Sequence, residues 1–343
     1  MATILTLADV QRQKSEKGDS YGAAVVELFQ QQCDPATLLD FKTLGTTEVK
    51  HRVKNAIATV GFRQGRGAAF GQINGTSNSQ VTDATFQLGA EIRMDKTDVR
   101  DKEASGMLGE RTQDAVKGMA WTFLDYFING DHATEPHGFE GIKVRLANSA
   151  AGQIVYGNAS NAELDVRASA SPSDATLYTF LDKIDEAIDA LDGSTGDAAF
   201  TSSDFIATLR SVLRRLGKYT ERPVEPLGKF GSVRRRTSAV RPTGPVLVYP
   251  ENKGIPWYDM GLKADQSTRV IGTDTVNSVA CRPVYFVKLG YPYVHGIQQY
   301  AMEIDGPDWN DDHVTQSIVI DWPVGLHHVH NKSISKLAGV RVA

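Results

Sequence analysis

Cysteine is scarce in this chain: two residues, Cys33 and Cys281, among 343. They stand far apart and in no metal-ligand spacing, which argues against a disulfide framework and favours a reducing compartment. Positive charge is not in excess either. Lysine and arginine total 37 against 41 aspartates and glutamates, a formal net charge of −4. Phosphate affinity needs clustered lysine and arginine, so the chain as a whole is not a polyanion binder, although a locally basic face remains open. No segment approaches the ~20 apolar residues of a membrane span. The first ten residues lack the basic stretch and apolar run of a signal peptide, so the Asn-X-Ser/Thr triplets at Asn74, Asn158 and Asn331 read as chance. Catalytic signatures are missing as well. There is no Gly-X-Ser-X-Gly elbow and no His-Glu-X-X-His. Gly65-Arg66-Gly67 meets Phe70 where a dinucleotide loop needs its third glycine, and it precedes a polar extended stretch, not a helix.

What the chain does contain is ordinary globular material, 41% hydrophobic and 23% charged, enough for two or three structural units. Its most distinctive stretch is a Gly-rich, polar arm from Gly61 to about Met94. Gly61, Gly65, Gly67, Gly71, Gly75 and Gly89 sit there among Gln, Asn, Thr and Ser. Asn74-Gly75 predicts a type I′ hairpin, with Phe62 to Ile73 outward and Thr76 to Met94 back. A lone ribbon is marginal in water, and structureless loops of that length are rare inside compact domains. The arm is therefore expected to find its partners on another copy of the protein.

A long helix follows, from about Asp98 to Phe127. Asp98 is the N-cap candidate, and Asp101 and Glu103 suit the first turns. Leu108, Ala115, Met119, Phe123 and Phe127 keep a helical period as its expected core positions, and Asn129-Gly130 supplies the stop. Such a helix spans about 40–45 Å. Ahead of the arm, short helices are expected after Thr6, over Gly22 to Gln32 and at Asp34-Pro35. Polar residues separate them, so they read as segments draped over a neighbouring subunit. The second half predicts helices over Ala175 to Leu191 and Ser203 to Tyr219. Strands are expected at Gly244 to Pro250, Val279 to Leu289 and Ser317 to Trp322. This is an α+β pattern, and its strands do not alternate regularly with helices as a doubly wound cofactor fold requires.

Four clusters were weighed as sites. Leu326-His327-His328-Val329-His330 is the most metal-like; on a strand His328 and His330 share a face. Zinc would need further ligands, with His132, His137 and His313 as the candidates, and the plainer reading is surface or interface histidines. Asp305, Asp308, Asp311 and Asp312, with Asn310, read as an acidic loop without the calcium-loop spacing of an EF-hand. Arg234-Arg235-Arg236, with Lys229, Arg241, Arg214 and Arg215, is the one dense basic stretch. Its plainer reading is a solvated loop with inter-subunit salt bridges, so Arg234, Arg235, Arg236, Asp308, Asp311 and Asp312 are candidates for charged contacts between subunits. Asp182, Asp185, Glu186 and Asp189 read as the solvated stripe of their helix, not as paired catalytic carboxylates. No catalytic residue, cofactor or metal is assigned.

Several fragments carry a family resemblance. They are Val25-Val26-Glu27-Leu28 and Leu38-Leu39-Asp40-Phe41 near the N-terminus, then Val60-Gly61-Phe62-Arg63 at the entry to the arm. Phe86-Gln87-Leu88-Gly89-Ala90-Glu91-Ile92-Arg93-Met94-Asp95 follows on its return. Phe127-Ile128-Asn129-Gly130-Asp131 and Phe139-Glu140-Gly141-Ile142 stand at the exit of the long helix. In this order and spacing the chain resembles the major capsid proteins of tailed bacteriophages, with the Hong Kong 97 capsid fold. The likeness covers most of the first 145 residues and is weaker beyond. Many relatives carry an Asn-rich turn after the position of Arg63, where this chain has Gln64-Gly65-Arg66-Gly67, and no isopeptide cross-linking pair is matched.

The resemblance implies an α+β fold with an N-terminal arm (1–54), an extended β-hairpin loop (55–97), a peripheral domain with a long spine helix (98–146), an axial domain (147–282) and strands returning to the peripheral domain (283–343). Gly61, Phe62, Arg63, Gly67, Asn74 and Gly75 would then belong to the assembly loop. It further implies a non-enzymatic shell protein working as hexamers and pentamers in a virion assembled in a bacterial cytoplasm. Scaffolding, portal and decoration proteins are the implied partners, with packaged double-stranded DNA contacted non-specifically and no membrane. The alternatives are an encapsulin-type nanocompartment shell and a soluble metal-dependent enzyme using the terminal histidines.

Overall fold

The computed structural model describes residues 4–54, 78–95, 107–147, 152–158, 161–217, 255–309 and 314–342. The chain opens with β1 (Ile4–Leu5), α1 (Leu7–Glu16), α2 (Ser20–Gln32), α3 (Asp34–Leu38) and β2 (Phe41–Thr43). Thr6 starts α1 through a capping box: its hydroxyl accepts from the Asp9 N–H while the Asp9 carboxylate accepts from the Thr6 N–H. Next come β3 (Glu48–Lys54), β4 (Asn78–Ala84), β5 (Phe86–Asp95), α4 (Met107–Asn129) and α5 (Ile142–Ala147). At 1.5 Å per residue α4 is about 35 Å long. The helix N-cap candidates Asp98, Asp101 and Glu103 lie outside the described residues.

The N-terminal helices correct an expectation. They do not await a neighbour: Leu7, Val10, Val25, Val26 and Phe29 are buried in one core with Val116, Met119, Ala120, Phe123 and Phe127 of α4. The buried positions of α2, Ala23, Val26 and Gln30 beside Gly22, Val25 and Phe29, recur every three to four residues and make a stripe wide enough to pack on α4. On α4 the buried positions are Thr112, Val116, Met119, Ala120, Phe123, Leu124, Phe127 and Ile128. Ala115 is only half-buried, one position off that stripe. Gly130 then ends the helix where the chain folds back: a Cβ there would meet the Phe139 carbonyl oxygen at 2.3 Å, so only glycine fits.

The arm also differs from expectation. Its return is two strands, split at Thr85. β4 pairs antiparallel with β3, from Glu48↔Ala84 to Lys54↔Asn78, so the outgoing partner lies upstream of the Phe62–Ile73 stretch. That stretch, with Gly61, Phe62, Arg63, Gly67, Asn74 and Gly75, lies outside the described residues. β5 instead joins the main sheet.

The second half contains β6 (Ile154–Tyr156), β7 (Leu164–Asp165), α6 (Asp174–Asp189), β8 (Ala198–Thr201), α7 (Ser203–Arg215) and β9 (Trp257–Asp259). It continues with β10 (Asp274–Val276), β11 (Val279–Cys281), β12 (Val284–Val287) and β13 (Val294–Gln298), and closes with β14 (Glu303–Trp309), β15 (Thr315–His328), β16 (Ile334–Ala338) and β17 (Val340–Arg341). Gly244–Pro250, read from sequence as a strand, lies outside the described residues. The expected strand from Val279 to Leu289 is two, β11 and β12. α7 stops at Arg215, short of Tyr219, because Gly217 takes a left-handed conformation (φ 67°) and donates to the Arg214 carbonyl.

Two sheets organise the whole. In the first, β15 is the axis: β5 pairs along residues 315–324, β14 along 316–321 and β13 along 324–328. A strand has two edges, so β13 and β14 share the edge opposite β5; β2 and β1 extend the sheet beyond β13. The second sheet runs β6-β16-β12-β8-β9. Its central strands are buried along their whole length, so their sequences, Ala-Ala-Phe-Thr and Val-Tyr-Phe-Val, are continuous apolar runs without alternation. Phe200, Tyr285 and Val287 face the core under α4, while Ala199, Val284 and Phe286 face a second core built on α6 and α7. One sheet thus serves both halves of the molecule.

Candidate functional site

The root of the hairpin β3–β4 is where chemistry-bearing side chains converge. Val49 lies opposite Asp83 and His51 opposite Val81, so His51 and Asp83 share one face of the ribbon. That face meets β15. The Asp83 side chain is 2% exposed and sits among three groups. Arg145 of α5 reaches its Oδ1 at 2.9 Å, His327 of β15 places Nδ1 2.7 Å from its Oδ2, and the Nδ1 of His51 is 3.8 Å from the same oxygen. Arg145 is fixed in turn: its Nε donates to the Glu140 carbonyl and its Nη2 to the Leu326 carbonyl, each at 2.9 Å.

The imidazoles continue in a row. The rings of His51 and His327 are 4.4 Å apart, and those of His327 and His295, cross-strand partners on β15 and β13, are 4.8 Å apart. Burial first, then the neighbouring His327, lowers the basicity of His51. The same two causes push His295 down to about 4. Burial and then the Arg145 charge push His328 down to about 3. Burial alone would raise Asp83; the His327 hydrogen bond and the Arg145 guanidinium outweigh it and hold the carboxyl below the usual carboxylate range. The arrangement is one buried carboxylate, ionised and half neutralised by Arg145, facing neutral imidazoles. Neutral imidazole is the metal-ligating form. His51, Asp83 and His327 each offer one donor atom, all within 4.8 Å of one another, and they are the residues able to hold an ion.

The sequence had singled out His328 and His330 instead. His327 and His328 are buried, not surface residues, and His330 lies past the end of β15, its ring against Tyr293. His132 sits beside Phe86, and its Nδ1 is 3.2 Å from the Gly138 carbonyl; His137 is exposed. Neither joins the cluster, and His313 lies outside the described residues. Asp83 carried no signal that could have found it, because its partner His327 is 244 residues away.

The other candidates fall elsewhere. Asp305 and Asp308 are exposed on the strand β14, with a bulge between them, so this stretch is not the acidic loop expected. Asp311, Asp312, Arg234, Arg235 and Arg236 lie outside the described residues, while Arg214 and Arg215 are exposed in the last turn of α7. Met119, Phe123 and Phe127 are buried on α4; Leu108 lies in its first turn. Cys33 and Cys281 are buried free thiols. Among the described residues no helix is long and apolar enough to cross a membrane.

No protein-family model matches the chain, and no curated protein matches it. Solved structures do. The chain is similar to a capsid chain of a native GTA particle, at 15% identity and a TM-score of 0.54, over 87% of either chain. It is similar to a chain from Mycobacterium phage Bobi at 10% identity and a TM-score of 0.53, over 89% of either chain. It is also similar to the SrpI encapsulin of Synechococcus elongatus PCC 7942 at 14% identity and a TM-score of 0.51, over 89% of this chain and 86% of that one. The chain therefore has the fold of capsid and encapsulin subunits, the fold that its resemblance to the Hong Kong 97 type implies.

Proposed function

We propose that this chain is a shell subunit: a major capsid protein that self-assembles into the icosahedral head of a tailed double-stranded DNA bacteriophage. The observation that carries the reading is the shared fold over 87% of both this chain and a GTA capsid chain. In this reading the work is done by interface burial. Residues 55–97 form the loop that reaches over neighbouring subunits, with Gly61, Phe62, Arg63, Gly67, Asn74 and Gly75 at its assembly contacts. Residues 98–146 form the peripheral domain around a stiff helix, and residues 147–282 gather around the five- and six-fold axes. Arg234, Arg235 and Arg236 pair across subunits with Asp308, Asp311 and Asp312. Single contacts can be weak, because each subunit makes several and repeated linkage raises the effective concentration. Scaffolding, portal and decoration proteins are the further partners, and the site of action is the virion, assembled in the cytoplasm of a bacterial host. No residue has a catalytic role.

The test is direct. Tag-free protein, concentrated and examined by sedimentation and negative-stain microscopy, is expected to form closed particles or ring-shaped capsomers. A compact monomer at every concentration would overturn the proposal. The encapsulin match supports a second reading, a nanocompartment that encloses cargo enzymes.

A further inference from the structure

The geometry points to a structural metal site at the hairpin root, in which Asp83, His51 and His327 bind a borderline divalent transition metal of the zinc class and pin β3 and β4 to β15. The inference stands on the side chains alone and is independent of the shell reading.

The donor atoms are close to where such an ion needs them. With bonds of about 2.0–2.2 Å, two ligands of a tetrahedral zinc stand about 3.3 Å apart. The Asp83–His327 pair is 2.7 Å apart and the Asp83–His51 pair 3.8 Å. One must open and the other close by about half an ångström, a side-chain adjustment. Both ring nitrogens of His51 are buried without a hydrogen-bond partner among the described residues, and so is Nε2 of His295. Buried polar groups are rarely left unpaired. An ion would take a lone pair from His51, and its fourth position would fall to His295 or a water. The proton that His327 Nδ1 now shares with Asp83 would move to Nε2 as the metal takes its place, so the ring stays neutral.

The second shell is built. Arg145 holds only Oδ1 of Asp83 and is itself anchored on two carbonyls. The free oxygen is thereby aimed at the imidazoles, as outer partners aim ligating carboxylates. Arg145 also selects the ion. Its charge offsets the single carboxylate, which leaves nothing for calcium or magnesium, ions that depend on several oxygen donors. Imidazole nitrogens suit zinc, nickel, copper and cobalt.

Tag-free full chain, stripped with a chelator, would be titrated with Zn²⁺ by calorimetry and with Co²⁺ by visible absorption. One equivalent per chain is expected, with a tetrahedral Co²⁺ spectrum and a Tm raised by several degrees. His51→Gln should weaken binding at least tenfold, His51→Cys should restore it, and His137→Gln on the exposed surface should leave it unchanged. Cys33→Ala/Cys281→Ala should bind normally, which separates this site from the free thiols. Absence of saturable binding in the wild type, or equal affinity in His51→Gln, would overturn the inference. If His51→Gln fails to fold, a wild-type Co²⁺ spectrum showing thiolate ligation, or none, decides against it.

Discussion

At Trp322 four distant segments of chain meet. Its ring lies 5.4 Å from Phe29 of α2, 5.1 Å from Phe41 of β2 and 5.6 Å from Phe123 of α4. Its indole N–H donates to Gln298 of β13 at 3.0 Å, so the one polar atom in this aromatic cluster is paired. Asp34, at the start of α3, is the opposite case. Burial first and then the nearby Asp259 raise its pKa. The sign follows: the folded state keeps the proton to higher pH than the unfolded state does, so stability falls as pH rises through that window, and the full penalty is present at pH 7. Asp34→Asn removes the charge and should raise the Tm at pH 7 by about one or two degrees. The gain should shrink toward zero below the ordinary carboxylate range, where both states are protonated. Thermal melts at several pH values would show it; a gain of constant size, or a loss, would mean that the carboxylate is stabilised by its surroundings.

Among the elements, the hairpin β3–β4 is separable from the core in a way that β5 is not. β3 and β4 pair only with each other in their sheet, whereas β5 is hydrogen-bonded to β15 from Phe86 to Asp95. Lys54 and Asn78 are cross-strand partners, so a two-residue Asn-Gly turn can join them. Replacing residues 55–77 by Asn-Gly should leave the Tm within about two degrees of wild type, since a shorter loop costs little entropy. In the shell reading it should also abolish closed particles. Normal particles from this variant would remove the arm from the assembly mechanism. Legibility in the sequence follows the same division. α6 could be read from Leu177, Phe180, Leu181, Ile184 and Ile188, because one face packs and the other meets water. β15 could be read only at its centre, because Pro323 and His327–His328 mask a 14-residue strand. The split at Thr85 and the cluster at Asp83 were hidden for another reason. Both are fixed by pairing with β15, more than 200 residues downstream, and no local period encodes such a contact.

At the scale of the whole molecule, the shared sheet makes the two cores one body, and the charge on that body bears on what a shell of it would hold. The chain carries four more acidic than basic groups, 41 against 37. A wall of such subunits would not condense a polyanion, because that requires neutralising its phosphates with clustered lysine and arginine. DNA inside would have to be driven in by other components and confined mechanically, with only non-specific contact to the wall. Two measurements then separate the phage reading from the nanocompartment reading. Isolated subunits should show no DNA binding in a gel shift at physiological salt. Particles recovered from the cells that naturally make the chain should nonetheless protect double-stranded DNA from added nuclease. Particles that contain a second protein in stoichiometric amount and no nucleic acid would place the chain with the encapsulins, and tight DNA binding by free subunits would mean that a basic face, hidden in the net charge, does the packing.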